Sequence, residues 1–318
     1  MLTFSTDDIR PQDRFDHWCE VRCKNLFGVT IELEREQRAS FRGRFSGTPI
    51  GSAMLAEMSA SSYRVSRTAA DIARVCSDSL NIGWQIRGPG HMETGRGHVQ
   101  AVREGDFVVG HSELPFIGTP ERSDGFHFLT LKIPVTGSIA LGARTNDIAP
   151  AALPGSAGLT RLIAAMFKVL ARQPALAGDP AGDVEHIARL VLLARGRLRP
   201  RQHESLAALR AGFLHAAREI VARDMHRPEL TPAAVAVELG ISLRQLHVLF
   251  EPTGRSFART LTAMRLQEAR RLLRAMPARA IEDIVFACGF DSIATFYRVF
   301  RSTYGMTPGD ARMVSAGE

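Results

Sequence analysis

A pattern of short apolar helices, each ended by a glycine, occurs twice near the C-terminus and limits the folds open to this chain. In the first copy, Thr231 caps a predicted helix, Pro232–Leu239, that starts with proline and ends at Gly240. Ser242 caps the helix that follows, and Gln245 completes a capping box. Because glycine tolerates the positive φ that reverses the chain after a helix, the pattern predicts a helix-turn-helix.

The second copy repeats this arrangement. Gly289 follows Gly240 by 49 positions, after a short helix that starts at Ile281, and Ser292 caps the next helix. Between the copies, Phe257–Leu273 is predicted as one amphipathic helix, apolar on one face and rich in arginine on the other. One copy alone has little specificity, since any αα-corner with a glycine imitates it. Two copies joined by a single helix predict an all-α domain with two helix-turn-helix units.

The most specific sequence signature of this region lies in the second copy and is made by Ile281, Ile284, Gly289, Phe290, Phe296, Phe300, Arg301, Tyr304, Gly305, Met306, Thr307, Pro308 and Arg312. Through these residues the stretch Leu230–Arg312 resembles the DNA-binding domain of AraC/XylS-type transcription regulators. Two positions depart from the family pattern: Val248 stands where the family often has arginine, and Val285 where it usually has a small residue.

The N-terminal part has a different pattern of apolar residues and turns. Residues from about 28 to 135 are short apolar runs separated by turns such as Gly88-Pro89, a pattern typical of an antiparallel barrel or sandwich. Through Arg14-Phe15, Trp18 and Gly105–Phe107 this part resembles, more loosely, the sensing barrel of the same family. We therefore expect an α+β chain of two domains: an N-terminal antiparallel, cupin-like β-barrel with flanking helices and a C-terminal all-α double helix-turn-helix domain.

Composition places the expected boundaries, because Arg195–Glu204 is rich in arginine and holds Pro200, which suits a linker. The predicted parts are a sensing and dimerisation domain (1–198, with its barrel at about 28–135 and its helices at about 156–198), a linker (199–210) and a DNA-binding domain (211–318).

Two helical stripes in the first domain, Leu159–Leu170 and Val184–Leu198, carry more apolar residues than one barrel edge needs. One of them is predicted to form a helical interface between two copies of the chain, with Leu162 and Met166 in it. The protein is thus expected to be a homodimer.

Charge adds a modest hint. The net charge is +7, and of the 40 basic side chains only Lys24, Lys132 and Lys168 are lysines. Arginine suits phosphate and guanine contacts, but a GC-rich genome produces the same bias, so charge alone does not establish DNA binding.

No apolar run is long enough to span a membrane, the N-terminus is unlike a signal peptide, and four cysteines do not make a disulfide framework. We expect a cytoplasmic protein without membrane contact.

The predicted DNA contacts lie on the outward faces of the second helix of each copy and on the connecting helix. Arginine can bind guanine edges or phosphates, and small apolar side chains can touch thymine methyls, although solvated surface is the alternative for each. The candidates are Arg244, Gln245 and His247 in the first copy, Ile293, Ala294, Thr295 and Arg298 in the second, and Arg259 and Arg271 between them.

A sensing pocket needs aromatic walls and a few polar anchors. Core packing explains the barrel's aromatic residues equally well, and arginines on strands such as Arg64, Arg67 and Arg87, which could pair with a carboxylate, are as easily solvated. The candidate effector contacts are Trp84, Arg87, Phe107, His111, Phe116 and Phe128.

No metal, cofactor or catalytic residue is expected. His91 and His98 are seven residues apart, and His111 and His127 lack close partners. Cys19 and Cys23 fall on one helix, predicted over Pro11–Leu26, and are interpreted as small buried side chains. Paired carboxylates, a nucleophile elbow and a phosphate loop are all missing from the sequence.

These patterns, with the family resemblance, predict a sequence-specific DNA-binding transcription regulator, an activator controlled by a small effector in the barrel. The resemblance implies double-stranded DNA, a small organic acid or aromatic effector and RNA polymerase as partners. Two alternatives stay open: a regulator whose N-terminal domain only dimerises or binds a protein partner, and an enzyme built on the barrel with an accessory helical domain.

Overall fold

The computed structural model describes residues 2–21, 27–95, 97–135, 141, 143–156, 158–172 and 179–313. The chain divides into two compact units, Met1–Gly212 (unit 1) and Phe213–Glu318 (unit 2). A helix, His203–Asp224, runs across this division, so most of the predicted linker 199–210 is helical. The predicted domain limits stay predictions.

Unit 1 is built on two antiparallel sheets, of seven strands in the order β1-β3-β4-β11-β6-β9-β12 and of five in the order β2-β5-β10-β7-β8. The strands are β1 (Leu2–Ser5), β2 (Thr30–Glu32), β3 (Gly43–Ile50), β4 (Ala53–Ala60), β5 (Arg64–Arg67), β6 (Ser79–Arg87), β7 (Gly90–Thr94), β8 (His98–Val102), β9 (Phe107–His111), β10 (Phe116–Pro120), β11 (Phe126–Pro134) and β12 (Ala151–Leu153).

The two-domain α+β fold is confirmed, with one correction. Among the described residues no strand hydrogen-bonds to both sheets, so they do not close into a barrel; a cupin-like jelly roll is compatible with this arrangement. The sheets also extend beyond the predicted 28–135, because β1 pairs with β3 and β12 pairs with β9. Four- and three-residue strands are too short to show a period of two in the sequence.

The N-terminal helix forms, but not as one regular α-helix. The segment predicted to be helical, Pro11–Leu26, contains a 3₁₀ turn, Pro11–Asp13, then α1 (Arg14–Trp18) and a π-helical turn over 19–21; residues 22–26, with Cys23, lie outside the described residues. Trp18 is fully buried and its ring lies 5.7 Å from that of Phe41. Large-ring contacts of this kind anchor the helix on the strands.

Two longer helices cover the seven-stranded sheet after α2 (Ala69–Arg74): α3 (Gly158–Arg172) and α4 (Pro180–Ala194). Phe167 packs against the rings of Trp84 and Phe107. Leu162 and Met166 are 4% and 0% exposed within the chain itself. The prediction that these two side chains form a dimer interface is therefore wrong, because they complete the chain's own core.

Unit 2 is helical. Its first helix-turn-helix packs on the end of α5, and its second packs on α11. The helices are α5 (His203–Asp224), α6 (Pro232–Leu239), α7 (Leu243–Phe250), α8 (Phe257–Ala275), α9 (Ile281–Ala287), α10 (Ile293–Tyr304) and α11 (Pro308–Met313).

Helix α8 belongs to both cores of unit 2. Its first half, with Phe257 and Leu261, packs with α5, α6 and α7. Its second half, with Leu266, Ala269 and Leu273, packs with α9, α10 and α11. One continuous helix therefore sets the position of one helix-turn-helix relative to the other.

A polar junction reinforces this arrangement. Arg265 in α8 donates from Nε to the carbonyl of Met225 at 2.7 Å and from Nη2 to that of Arg227 at 2.6 Å. Gly289, the turn glycine of the second copy, has φ +81° and lies so close that a Cβ would overlap the Met225 carbonyl oxygen. The junction ties the segment after α5 to the turn of the second copy.

Candidate DNA-binding surface and ligand cavity

The first helix-turn-helix forms as its caps predict. Thr231 Oγ1 accepts from the Ala234 amide at 3.2 Å, and Gly240 ends α6 at φ +68°. Ser242 and Gln245 form the reciprocal capping box at 2.8 and 3.1 Å. The chain bends by 103° between Pro232–Leu239 and Leu243–Thr253, which lies within the 90–120° typical of this motif.

The outward face of α7 holds its predicted contacts. Leu246, Leu249 and Phe250 are buried, which turns Arg244 and His247 to solvent. Arg244 forms no ion pair or side-chain hydrogen bond with any described residue, so its guanidinium is free to bind DNA. Gln245 is also exposed, but its carbonyl oxygen already accepts from the Ser242 amide, and only its NH₂ group remains for a base.

The second helix-turn-helix has the same plan with a weaker first cap. No side chain caps α9 at Ala280. Ser292 Oγ accepts from the Thr295 amide at 3.2 Å and starts α10, whose Phe296 and Phe300 are fully buried. Val285, which departs from the small residue of the family pattern, is also completely buried.

The predicted contacts on α10 are not equally placed. Ala294 and Arg298 are exposed, Thr295 is half-buried, and Ile293 packs against the buried core of this unit. Arg301, which the sequence analysis did not assign, is exposed three residues after Arg298 and so lies on the same face. That i, i+3 spacing was the signal for it in the sequence.

The two arginines chosen on α8 differ in their neighbours. Arg271 holds Glu268 in a bidentate pair at 2.6 and 2.8 Å, and this guanidinium keeps the pKa of the Glu268 carboxyl below its usual value. Arg259 is exposed and has no ion pair with a described residue. The charge of Arg259 is available to a phosphate, whereas that of Arg271 is already partly neutralised.

Unit 1 contains a cavity of about 240 Å³ between its two sheets. This is close to the lower end of the range for small-molecule sites, roughly 300–1,000 Å³. Aromatic side chains from both sheets and from the segments beside them form much of its wall: Phe27, Tyr63, Phe116, Phe126 and Phe128.

Three of the six candidate effector residues line this cavity: His111, Phe116 and Phe128. Trp84 and Phe107 do not, because they stack on each other, at 5.6 Å between ring centroids, on the sheet face covered by Phe167. Arg87 lies outside as well, in a surface depression beside Arg42 and Arg44.

The other arginines proposed for a carboxylate are engaged with protein groups. Arg64 pairs with Glu32 at 2.7 Å on the surface. Arg67 lines the cavity but is 3% exposed and donates to four backbone carbonyls, those of Phe27, Gly28, Val75 and Ser112. Its role is to hold loops together.

His111 is partly committed. Its Nδ1 accepts from the Glu113 amide at 3.2 Å, which assigns the proton to Nε2. Nε2 lies 3.1 Å from Asp78 Oδ1 but makes no hydrogen bond with a described residue. One ring nitrogen is therefore occupied, and the N–H of the other is unpartnered.

The cavity wall that sequence reasoning missed is one face of β11. Alternation along the strand sends Phe126, Phe128, Thr130 and Lys132 into the cavity, while Leu131 is buried on the opposite side. Asn81 on β6 is the cross-strand partner of Lys132 and also lines the cavity. The sequence did contain a signal for this wall: Lys132 is spaced by an even number of residues from Phe126 and Phe128, so it lies on the same face of the strand.

No cluster of three or more His, Cys, Asp or Glu side chains that could hold a metal occurs in the described part of the chain. His127, one of the histidines considered, pairs with Glu57 at 2.7 Å on the surface.

Across the described helices, none is by itself long and apolar enough to cross a bilayer; only α6 and α7 taken together as a bent pair reach that length and composition.

Comparison with known proteins covers both units. Residues 235–313 match the helix-turn-helix domain family, and residues 18–198, more than half of the chain, match the AraC-binding-like domain family. The transcriptional activator NphR of Rhodococcus sp. is 25% identical over 300 residues, covering 90% of this chain and 85% of that one. The regulator GlxA of Rhizobium meliloti is 40% identical over 111 residues, 33% of this chain and 34% of its own.

Among solved structures, the AraC-like transcriptional activator CuxR aligns with 90% of this chain and 100% of its own, at 21% identity and a TM-score of 0.48. Two helix-turn-helix units on one helix, with a second domain of the AraC-binding type, define a DNA-binding transcription regulator with a ligand-binding N-terminal domain. The chain belongs to the AraC family.

Proposed function

We propose that this protein is a transcription activator that binds double-stranded DNA through α7 and α10 and responds to a small organic acid or aromatic compound in the cavity of unit 1. The observation that carries the proposal is the pair of outward-facing recognition helices held on one connecting helix. Units fixed in this way would enter successive major grooves, about 34 Å or 10 bp apart. The similarity to the activator NphR supports activation over repression.

Substitutions can distinguish the proposed contacts to bases from non-specific contacts to the phosphates. Arg244→Ala and Arg298→Ala should each weaken binding to a duplex selected from a random pool by about 1–3 kcal/mol, and relax discrimination at particular base pairs. Fluorescence anisotropy on the selected duplex and its single-base variants measures both effects. Arg271→Ala is the matched control, because this exposed arginine is already held by Glu268.

For that control we expect a change in affinity smaller than threefold, roughly 0.65 kcal/mol. A loss that is equal on every duplex after Arg244→Ala would move Arg244 to the phosphate-contacting class. Unchanged affinity in both arginine variants would remove α7 and α10 from the proposed interface.

The ligand role is tested by thermal shift on the full chain. Trp18 and Trp84, the two tryptophans of the chain, lie in unit 1, so their fluorescence follows the melting of that unit. A compound that binds only the folded state stabilises it by about 2.7 kcal/mol at a hundredfold excess over its Kd. At least one small acid or aromatic compound in a broad metabolite set should raise this melting temperature.

A variant that reshapes the cavity makes the same test specific to this site. A Cβ at Gly83, which lines the cavity, would overlap the tip of the Phe128 ring, so the ring must move and the cavity wall must change shape. Gly83→Ala should abolish the ligand-induced shift, while Gly95→Ala, whose Cβ meets nothing within 4 Å, should keep it. If no compound raises the melting temperature of the wild type, and transcription is activated without any compound, unit 1 has the alternative role of assembly or partner binding.

The remaining partners belong to the same proposal. As an activator of transcription, the protein would contact RNA polymerase. The homodimer would form through surfaces other than Leu162 and Met166, which are buried within the chain itself. The similarity to NphR and GlxA supports a regulator without catalytic activity, acting in the cytoplasm beside the DNA it controls.

A further inference from the structure

Lys132 is a cation in an otherwise largely apolar cavity. It lies on β11 in phase with Phe126 and Phe128, and its side chain forms part of the wall. Burial, together with the nearby Arg67 cation, lowers the pKa of the Lys132 ammonium below its usual value. A charge removed from water without a partner is unfavourable for the folded protein, so its presence here calls for a reason.

No protein group in the described chain neutralises Lys132. It has no ion pair or hydrogen bond with a described residue. The nearest carboxylate that influences it, Glu113, accepts from the amides of Ser77 and Asp78 and lies 3.7 Å from Arg67. Glu113 is thus already engaged by two amides and by Arg67, and it forms no ion pair with Lys132.

Two neutral polar side chains share the same stretch of wall. Asn81 is directly opposite Lys132 on the adjacent strand, where Cβ atoms are about 4.5–5.5 Å apart. Thr130 is two residues before Lys132 on the same face. Neither side chain hydrogen-bonds to a described residue. An ammonium, an amide and a hydroxyl that all lack partners form a set of donors for one anion.

We propose that Lys132, Asn81 and Thr130 form the receptor for the carboxylate of a monoanionic aromatic ligand. The inference rests on the proposed effector role of the cavity and names the chemistry that the cavity selects. Tyr63, Phe116 and Phe128 provide the apolar wall for a ring. A second carboxylate on the ligand would find no further free cation among the described lining residues, since Arg67 is saturated by carbonyls.

The test uses the full chain and four simple probes: benzoate, phenylacetate, benzamide and phthalate. Calorimetry should show that wild type binds at least one of the two monocarboxylates more tightly than the neutral amide and the dianion. Lys132→Met should lower the affinity for that monocarboxylate by about 10- to 100-fold, the range expected for a charged hydrogen bond. Thr130→Val should lower it less and keep the preference for acid over amide.

The ligand-free protein provides a second readout. Because Lys132→Met removes an unpartnered charge and keeps the length of the side chain, it should raise the melting temperature of unit 1 by about 2–4 °C. A lysine needed for folding would give a decrease instead. Lys168→Met is the matched control, since the ammonium of Lys168 lies 6.0 Å from the ring of Trp84 on the other side of the sheet; it should leave carboxylate affinity unchanged.

Two results would overturn the inference and leave the proposed effector role intact: equal monocarboxylate affinity in wild type and Lys132→Met, or binding of benzamide or another neutral compound when neither acid binds. Tighter binding of phthalate would overturn the preference for a monoanion. If no compound of any charge binds wild type, the effector role itself fails.

Discussion

Replacing Gly289 by alanine should abolish sequence-specific DNA binding and destabilise unit 2 by about 3–5 kcal/mol. The φ of +81° disfavours any residue with a Cβ, and here the Cβ would also overlap the Met225 carbonyl oxygen. Backbone must move to relieve that overlap, and the movement breaks the hydrogen bonds from Arg265 to the carbonyls of Met225 and Arg227. The second recognition helix then loses its fixed position.

The first copy provides the control. Gly240 occupies the corresponding turn at φ +68°, but a Cβ there meets nothing within 4 Å. Gly240→Ala should therefore cost only the conformational strain, about 1–2 kcal/mol. Urea unfolding measures both variants. Tryptophan fluorescence follows unit 1, where both tryptophans lie, and helical circular dichroism follows the helices of both units, so a transition seen by circular dichroism alone reports unit 2. Equal losses for the two alanines would show that the junction with Arg265 contributes nothing.

DNA affinity should fall by roughly 10³-fold when salt rises from 50 to 200 mM, because each arginine–phosphate contact releases a counterion. The magnitude follows from the arginines between α7 and α10 that are exposed and have no ion pair with a described residue, which are Arg244, Arg255, Arg259, Arg274, Arg298 and Arg301.

The slope of log affinity against log salt tests this count. Arg259→Ala should make it shallower by about 1, whereas Arg271→Ala, which removes a side chain already paired with Glu268, should change it much less. Anisotropy titrations at four salt concentrations on one duplex are sufficient. A slope near zero would contradict a binding mode based on these arginines.

Helix ends in unit 2 were predictable because they are set by local chemistry. Thr231, Gly240 and the Ser242–Gln245 box fix α6 and α7 through hydrogen bonds spanning three or four residues. The same holds for Ser292 at the start of α10. The confirmed double helix-turn-helix fold therefore follows from short-range signals.

The cavity was harder to predict because both faces of its central strands are covered. Helices cover one face of β6 and the second sheet covers the other, so apolar residues occur on both and alternation does not reveal which face a ligand meets. Trp84 and Phe107 fall on the helix side, whereas Phe128 and Lys132 fall on the cavity side. Nor does sequence show that the donors of Arg67 go to carbonyls as distant as Ser112.

Because α8 supplies apolar side chains to two cores in turn, its length fixes both the distance and the rotation angle between the two helix-turn-helix units. An added residue between Leu261 and Leu266 would turn everything after it by about 100° and advance it by about 1.5 Å. The second recognition helix would then point away from the next major groove, which it enters in the proposed binding mode. Operator spacing in such a protein is thus not adjustable in single steps, and changes in binding specificity have to come from the side chains on α7 and α10.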